Sequence, residues 1–178
     1  MSFSIRSLTE ADAPLYRALR LRALQDNPEA FARLYEEEQN IPLEVFEQRL
    51  RGGTEEEAEH FTLGAFDETG RPVGMVVFIR GDAHKMRHKG YVLSMYVTPE
   101  ARGRRVSVLL MEELIRRARQ LEGLEQLQLS VVTENVAARA LYRRLDFTTY
   151  SIEKLAMKLG KTYWDEEHMV LFLREGQN

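Results

Sequence analysis

Cysteine is absent from the 178 residues of the chain. This absence excludes disulfide frameworks, thiolate metal sites and cysteine nucleophiles. The sequence also has no apolar run that approaches the roughly 20 residues of a membrane-spanning helix. The first residues, Met1 to Arg6, alternate in polarity and have no charged-then-apolar signal pattern. We therefore expect a cytoplasmic protein that has no membrane partner.

An excess of positive charge is missing as well. Lys and Arg total 25 against 28 for Asp and Glu, which gives a formal net charge of -3. A general nucleic-acid binder is usually basic overall or carries a dense basic face, so we expect no nucleic-acid partner. What the chain does have is 44% hydrophobic residues and a length typical of one domain. We expect a single domain over residues 1–178.

Apolar periodicity predicts the element order β, α, α, β, β, β, α, β, α, β, β. The pattern Thr9 to Asp12 marks the start of the first helix, and Asn27-Pro28 marks its end. Mixed order with several adjacent strands indicates an α/β fold with a mixed sheet. The strand–helix–strand unit from Tyr91 to Val132 predicts a right-handed parallel crossover. The predicted helices cover 9–27, 29–50 with an interruption at 40–42, 104–122 and 133–145, and the predicted strands lie at 3–6, 61–66, 73–79, 91–97, 127–131, 147–152 and 169–173.

Three arginines crowd the loop before the longest predicted helix. Arg102, Arg104 and Arg105 lie where the positive end of the helix dipole disfavours cations, and the first acid inside the helix is Glu112. The conflict disappears if an anion binds there, because free backbone N–H groups and guanidinium groups would share one phosphate-bearing ligand. In the alternative interpretation the arginines are solvated and mildly destabilising. The local pattern alone leaves both interpretations open.

Two motifs resemble those of the GCN5-related N-acetyltransferase (GNAT) superfamily. The segment Tyr96-Val-Thr-Pro-Glu-Ala-Arg-Gly-Arg-Arg-Val-Ser107 is similar to its acyl-CoA-binding motif, Gln/Arg-x-x-Gly-x-Gly/Ala, with Arg102 at the first position. The second motif, Asn-x-x-Ala-x-x-Leu-Tyr, is fully kept from Asn135 to Tyr142. The resemblance implies an α/β fold with a mixed, mostly antiparallel twisted sheet of about six to seven strands, splayed in the middle and flanked by helices.

The resemblance also implies an activity and a set of site residues. The activity is transfer of an acetyl group from acetyl-CoA, the cosubstrate, to a primary amine of a small molecule or peptide by direct attack, and no metal is expected. Tyr142 corresponds to the acid that protonates the leaving thiolate, although a tyrosine on an amphipathic helix more often only packs. Asn135 corresponds to a cofactor contact and also suits the helix N-cap. The other positions assigned to cofactor binding are Met95, Tyr96 and Val97, through their backbone amides, and Arg102, Gly103, Arg104, Arg105, Val106 and Ser107 in the loop.

The chain departs from the family's motifs at three glycine positions. Arg105 and Ser107 stand where the acyl-CoA motif has glycines, and Asp146 replaces the glycine of the family's Leu-Gly-Phe ending. We expect ordinary helical φ at Arg105, because the residue lies in or beside the first helical turn. A positive φ there would cost about 1–2 kcal/mol. Asp146 suits a left-handed turn better than most residues do. The departures leave open a second function, a catalytically degenerate acyl-CoA-binding module or sensor.

The general base is not identified by the sequence. The strand Tyr91 to Val97 contains no acid, and His84 and His88 precede it. The run Glu36 to Glu38 is another candidate, although it is most simply a solvated helix face, and water could serve instead of a side chain. The segment Trp164 to His168 is interpreted as an exposed turn, with reception of a cationic amine as the alternative. The acceptor, and the choice between monomer and homodimer, stay open.

Overall fold

A computed structural model describes residues 2–54 and 59–173 and has seven strands and five α-helices in this part of the chain. Their order is the predicted one, except that the second predicted helical region is divided into two helices. Among these residues, none of the helices combines the length and the apolar character needed to cross a membrane. The helices are α1 (Ala13–Asp26), α2 (Tyr35–Glu38), α3 (Leu43–Leu50), α4 (Val106–Ala118) and α5 (Val136–Arg144). The strands are β1 (Ser4–Ser7), β2 (His60–Phe66), β3 (Pro72–Arg80), β4 (Lys89–Val97), β5 (Gln126–Val132), β6 (Thr148–Leu159) and β7 (Thr162–Phe172).

The predicted capping pattern at Thr9 starts a short 3-10 turn (Glu10–Asp12), and α1 itself begins later than predicted, at Ala13. The Asp12 carboxylate accepts hydrogen bonds from the Thr9 backbone N–H at 2.8 Å and the Thr9 hydroxyl at 3.0 Å. It also receives two hydrogen bonds from the Arg6 guanidinium, at 2.7 and 2.8 Å. The hydrogen bond from Arg6 is the main reason why the pKa of Asp12 falls from 3.8 to about 2. A charged carboxylate therefore joins the helix start to β1.

The strands form one seven-stranded sheet in the order β1-β2-β3-β4-β5-β7-β6. Five of the neighbouring pairs are antiparallel, and only β4 and β5 run parallel. The parallel pair is connected through α4, as the crossover prediction requires. The expectation of an α/β fold with a mostly antiparallel mixed sheet is thus confirmed.

The sheet splits in its middle, between β4 and β5. The two strands pair only where Lys89, Gly90 and Tyr91 face residues 126–128. Beyond Tyr91 they separate. A bulge adds to the separation, because Ser94 and Met95 together oppose one residue of β3, and Ser94 has a φ of 54°. The second half of β4 therefore has a sheet neighbour on one side only.

Apolar side chains cover both faces of the sheet. On one face, called here the α4–α5 face, the core includes Leu63, Phe78 and Leu127 beneath α4 and α5. On the other, called the α1 face, α1 and α3 cover Met75 and Tyr96. Successive side chains of a strand point to opposite faces. The alternation thus determines the face of the sheet on which each side chain beside the split lies.

Three predicted segments differ from the structure. The helical region 29–50 is broken, since Phe31 and Leu34 have extended backbone angles and α2 is only four residues long. The last hairpin is much longer than predicted, so the segment Trp164 to His168 lies within β7 and is not an exposed turn. The long helix is shorter than predicted and begins only at Val106. In each case tertiary packing, which local periodicity does not report, sets the boundary.

Candidate active site

A cleft of about 580 Å³ opens where β4 and β5 separate. It is bounded by the second half of β4, the loop before α4, the end of β5 and the start of α5. Of the eleven residues that the sequence assigned to cofactor binding or catalysis, ten line this cleft and Arg104 does not. The ten are Met95, Tyr96, Val97, Arg102, Gly103, Arg105, Val106, Ser107, Asn135 and Tyr142.

The loop before α4 has a left-handed backbone at two positions. Gly103 has a φ of 73° and Arg105, the N-cap residue, has a φ of 64°. The expectation of ordinary helical φ at Arg105 is therefore wrong, because the residue lies in the turn just outside the helix, where a glycine would be unstrained. The Arg105 carbonyl accepts from the Leu109 amide at 3.0 Å, so helical bonding begins there.

The start of α4 fits a phosphate group. No side chain caps this end of the helix, and its first turn contains no acidic residue. The first backbone N–H groups of the helix are therefore left for an external acceptor. Residues with positive φ, such as Gly103 and Arg105, also turn backbone N–H groups toward a common centre. The donors present suit an anion, and Gly103 leaves open space where a side chain would begin.

The arginines of the loop have different surroundings. Arg102 is held at the mouth of the cleft, since its Nε donates to the Val97 carbonyl at 3.0 Å and its terminal nitrogen donates to Asn27 Oδ1 at 2.7 Å. Arg105 lines the cleft, whereas Arg104 faces elsewhere. Two guanidinium groups, and not three, therefore border the space in front of α4.

The free edge of β4 directs backbone amides into the cleft. The Thr98 N–H donates to β3 at 2.9 Å, so the alternation of the strand turns the amides of Val97 and Met95 away from β3. The Tyr96 amide accordingly faces β3. Its side chain lies on the α1 face, where the hydroxyl donates to Asp26. Burial, and then this hydrogen bond, raise the pKa of Tyr96 well above its usual range.

Tyr142 lies on the α5 wall of the cleft. Its side chain is 6% exposed, and the ring packs edge-on against Phe147 with centroids 5.9 Å apart. Burial raises the pKa of the Tyr142 phenol above its usual range, so the group stays protonated at neutral and mildly alkaline pH. Asn135 caps the same helix, since its Oδ1 accepts from the Ala138 amide at 3.1 Å. Its predicted capping role is confirmed.

A buried carboxylate fixes α5 to the sheet. Glu167 of β7 is 1% exposed and accepts hydrogen bonds from Arg139 and Thr149, and from Arg143 at 2.9 Å. Burial alone would raise the pKa of Glu167, but these hydrogen bonds outweigh it and lower the pKa. Because Arg139 and Arg143 belong to α5, this cluster sets the position of the helix that bears Tyr142.

The α1 wall of the cleft contains a buried ion pair. Arg20 donates to Glu38 through two nitrogens, at 2.8 and 3.1 Å, and to the Ser94 hydroxyl at 3.3 Å, and it lies over the Phe31 ring at 4.9 Å. Glu38 is 4% exposed, so its interpretation as part of a solvated face is wrong. Burial by itself raises the pKa of Glu38, but the hydrogen bonds and charges of Arg20 and Arg49 outweigh it and lower the pKa.

The structure separates most of the proposed bases from the cleft. His84 and His88 lie before the start of β4, and the cleft lining on this strand begins only at Val92, so neither histidine lines the cleft. Glu36 and Glu37 do not line the cleft, and Glu38 is bound to Arg20. Glu166 belongs to the segment that the sequence interpreted as an exposed turn, with reception of a cationic amine as the alternative, and it lines the cleft. No local signal marked its side of the strand, because charged residues precede a continuous apolar run from Met169 to Phe172.

One cluster of acidic and imidazole groups lies at the rim of the sheet. In the described part of the chain, Glu153, Glu166 and His168 bring one ligand-type atom each within 4.8 Å of the others. His168 Nε2 is already hydrogen bonded to the exposed Glu153 at 2.9 Å. This hydrogen bond accounts for the closeness of Glu153 and His168, and we assign no ion to the cluster.

Comparison with known proteins places this arrangement among acetyltransferases. A sequence model of the "Acetyltransferase (GNAT) family" matches residues 17–147. A ribosomal-protein-alanine N-acetyltransferase from Brucella melitensis has 28% identity and a TM-score of 0.77, with 95% of this chain and 99% of that one covered. A phosphinothricin acetyltransferase from Sinorhizobium meliloti, solved in complex with acetyl-CoA, has 22% identity, a TM-score of 0.81, and coverages of 99% and 91%. A Salmonella typhimurium protein solved with acetyl-CoA as its cofactor has 21% identity, a TM-score of 0.80, and coverages of 100% and 98%.

Proposed function

Because the chain belongs to the GNAT acetyltransferase family, we propose that it is an N-acetyltransferase that moves an acetyl group from acetyl-CoA to a primary amine of a small molecule or peptide. The observation that carries the proposal is one cleft that joins an uncapped helix N-terminus to a buried, protonated tyrosine. Two similar structures contain acetyl-CoA, which supports that cosubstrate. The names of two relatives, for phosphinothricin and for ribosomal-protein alanine, support an amine acceptor of either size.

Acetyl-CoA would be held by the chain at two places. The first N–H groups of α4, with the left-handed backbone at Gly103 and Arg105 and the guanidinium of Arg102, suit its phosphates. The amides of Met95 and Val97 suit the amide and acyl oxygens of its arm, because these strand N–H groups face the cleft without a sheet partner. The bound cosubstrate supplies an activated acyl thioester.

Two protein groups then serve the transfer itself. A backbone N–H at the β4 bulge can stabilise the oxygen on which negative charge develops as the amine attacks, and such a preorganised donor is worth about 10²–10³ in rate. Tyr142 donates its proton to the departing sulfur. Its raised pKa keeps the phenol protonated at working pH, so the proton is available when the thiolate leaves. The hydrogen bonds of Glu167 to Arg139 and Arg143 hold α5, and with it the Tyr142 side chain, in position.

Two assays on the intact protein test the proposal. Calorimetric titration with acetyl-CoA is expected to show micromolar binding, at about -8 kcal/mol. A thiol-release assay with the twenty amino acids, spermidine and a hexapeptide with a free N-terminal alanine is expected to show turnover with at least one of them. Binding without turnover for all of these amines would favour the acyl-CoA sensor, and no binding would reject both functions.

A further inference from the structure

The cleft passes through the sheet and opens on both faces. Tyr142 and the α4 N-terminus belong to the α4–α5 face, where the core cluster of that face surrounds them. Arg20 and Phe31, on the other side of the split, belong to the α1 face. A ligand seated on α4 therefore leaves the α1-face opening for a second molecule. In the proposed reaction, that second molecule is the amine.

Glu166 borders the α1-face opening. Its neighbour Glu167 points to α5, so the alternation of β7 turns Glu166 to the opposite face. The register places Glu166 beside Val132, where β5 ends next to the split. Glu166 is half-buried and lines the same cleft as Tyr142, so the two side chains approach the cleft from opposite faces of the sheet.

Glu166 is the single carboxylate among the described residues that line the cleft. The other charged groups of the lining are arginines: Arg20, Arg33, Arg102 and Arg105. Glu166 differs from the acidic residues around it, because within residues 2–54 and 59–173 no hydrogen bond or ion pair engages its carboxylate. Asp165 is bound by Lys154 at 2.8 Å, and Glu167 by two arginines. The carboxylate oxygens of Glu166 are therefore available to accept hydrogen bonds from a cationic ligand.

We infer that Glu166 receives the acceptor amine and acts as its general base. The inference rests on the proposed transferase function and adds the residue that the sequence could not supply. The carboxylate first pairs with the ammonium group and takes one proton, which leaves a neutral amine. The nitrogen lone pair attacks the acyl carbon, the C–N bond forms and the C–S bond breaks. Tyr142 protonates the thiolate and recovers its proton from the attacking nitrogen through water, and Glu166 releases its proton to solvent.

Other charged and polar side chains lie near Glu166. Glu153 faces it from β6, and His168 lies two residues along β7 on the same side. Arg20 and Arg33 face it across the cleft. Arg20 is neutralised by Glu38, whereas Arg33 is exposed and makes no ion pair among the described residues. Substitution of Glu153 therefore separates the effect of the Glu153–His168 pair from that of Glu166.

The test uses Glu166→Gln, which removes the charge and keeps the shape. With the best amine of the panel above, we expect kcat/KM at neutral pH to fall by about 10²-fold, the usual share of general-base catalysis. The wild-type to variant ratio should shrink as the pH approaches the pKa of the amine, because the amine then arrives already neutral. Acetyl-CoA affinity, measured by calorimetry, should not change, and Glu166→Asp should restore part of the rate with the wild-type shape of the pH profile.

Glu153→Gln is the matched control, since it removes one negative charge from the same cluster without touching the cleft lining. It should keep nearly the full rate. Equal losses in both variants would overturn the assignment, because the cluster's charge would then be the cause. An unchanged rate or pH profile in Glu166→Gln would also overturn it. Failure of the proposed function looks different, since the wild-type protein itself would then release no thiol with any amine.

Discussion

Replacement of Arg105 by glycine tests how the strained loop and the phosphate site are related. Arg105 occupies the left-handed region, with a φ of 64° and a ψ of 9°. Such a conformation costs a non-glycine residue about 1–2 kcal/mol. Glycine removes that cost but loses about 0.5–1 kcal/mol through the greater freedom of the unfolded chain. The balance is a gain of roughly 0.5–1 kcal/mol in the free energy of unfolding.

The gain is measurable by thermal unfolding. For a protein of this size, 1 kcal/mol shifts Tm by about 2–4 °C, so Arg105→Gly should raise Tm by roughly 1–4 °C. Asp146→Gly is the matched control, because Asp146 has a φ of 66° and does not line the cleft. It should raise Tm by a smaller amount, because aspartate tolerates the left-handed region better than arginine does, and it should leave acetyl-CoA binding unchanged. A fall in Tm for Arg105→Gly would show that the arginine side chain makes contacts worth more than the strain.

Acetyl-CoA affinity gives the second readout. Glycine lets a phosphate approach the backbone more closely, so we expect Arg105→Gly to bind acetyl-CoA as tightly as the wild type or more tightly. Arg105→Ala keeps the strain and removes the side chain beyond Cβ, so it measures the contribution of the arginine side chain with its charge. A tenfold loss of affinity, about 1.4 kcal/mol, in both variants would refute this reasoning. Arg105 would then bind the phosphate directly, and its strained backbone conformation would position the side chain for that contact.

Three further predictions follow from the contacts of single side chains. Tyr142→Phe should lower turnover by about 10²-fold while acetyl-CoA affinity stays the same, and an unchanged rate in the thiol-release assay would remove Tyr142 as the acid. The pKa of Asp12 lies at about 2 in the folded protein, below its usual 3.8, so its contribution to stability is present above pH 3.8 and is lost as the pH falls toward 2. Urea unfolding between pH 5 and pH 2 should show this loss, and Asp12→Asn should flatten it. Glu38→Gln leaves the buried charge of Arg20 without its partner and should lower the free energy of unfolding by about 3 kcal/mol in the same urea assay. The control Glu36→Gln changes an exposed residue and should lower it by less than about 0.5 kcal/mol.

Local sequence patterns predicted most of the framework but not the contacts made across it. The element order and the position of the loop before α4 followed from periodicity and from the motif around Arg102, because both depend on neighbours in the chain. The burial of Glu38 could not be predicted, since its partner Arg20 comes from a different helix. The left-handed backbone at Arg105 was missed because an arginine gives no local signal for a conformation that favours glycine.

The role of Glu166 was hidden for a different reason. Its position at the cleft depends on the extension of β7 and on the register of β7 with β5, neither of which turn residues mark in the sequence. Within a strand, a shift of one residue exchanges the two faces. The acidic run Asp165 to Glu167 therefore looks uniformly solvated in the sequence, although the fold buries Glu167 and turns Glu166 into the cleft.

The split between β4 and β5 also leaves backbone amides whose hydrogen exchange depends on whether the cleft holds a ligand. The amides of Met95 and Val97 have no strand partner in the free protein, whereas those of β2 and β3 are paired along both strands. Amide hydrogen exchange is fast for unbonded, accessible groups and slow for paired ones. We expect these two amides to exchange rapidly in the free protein and to become protected when a ligand fills the cleft. Exchange measured by NMR would thus follow binding of any acyl-CoA without an acceptor amine or a turnover assay.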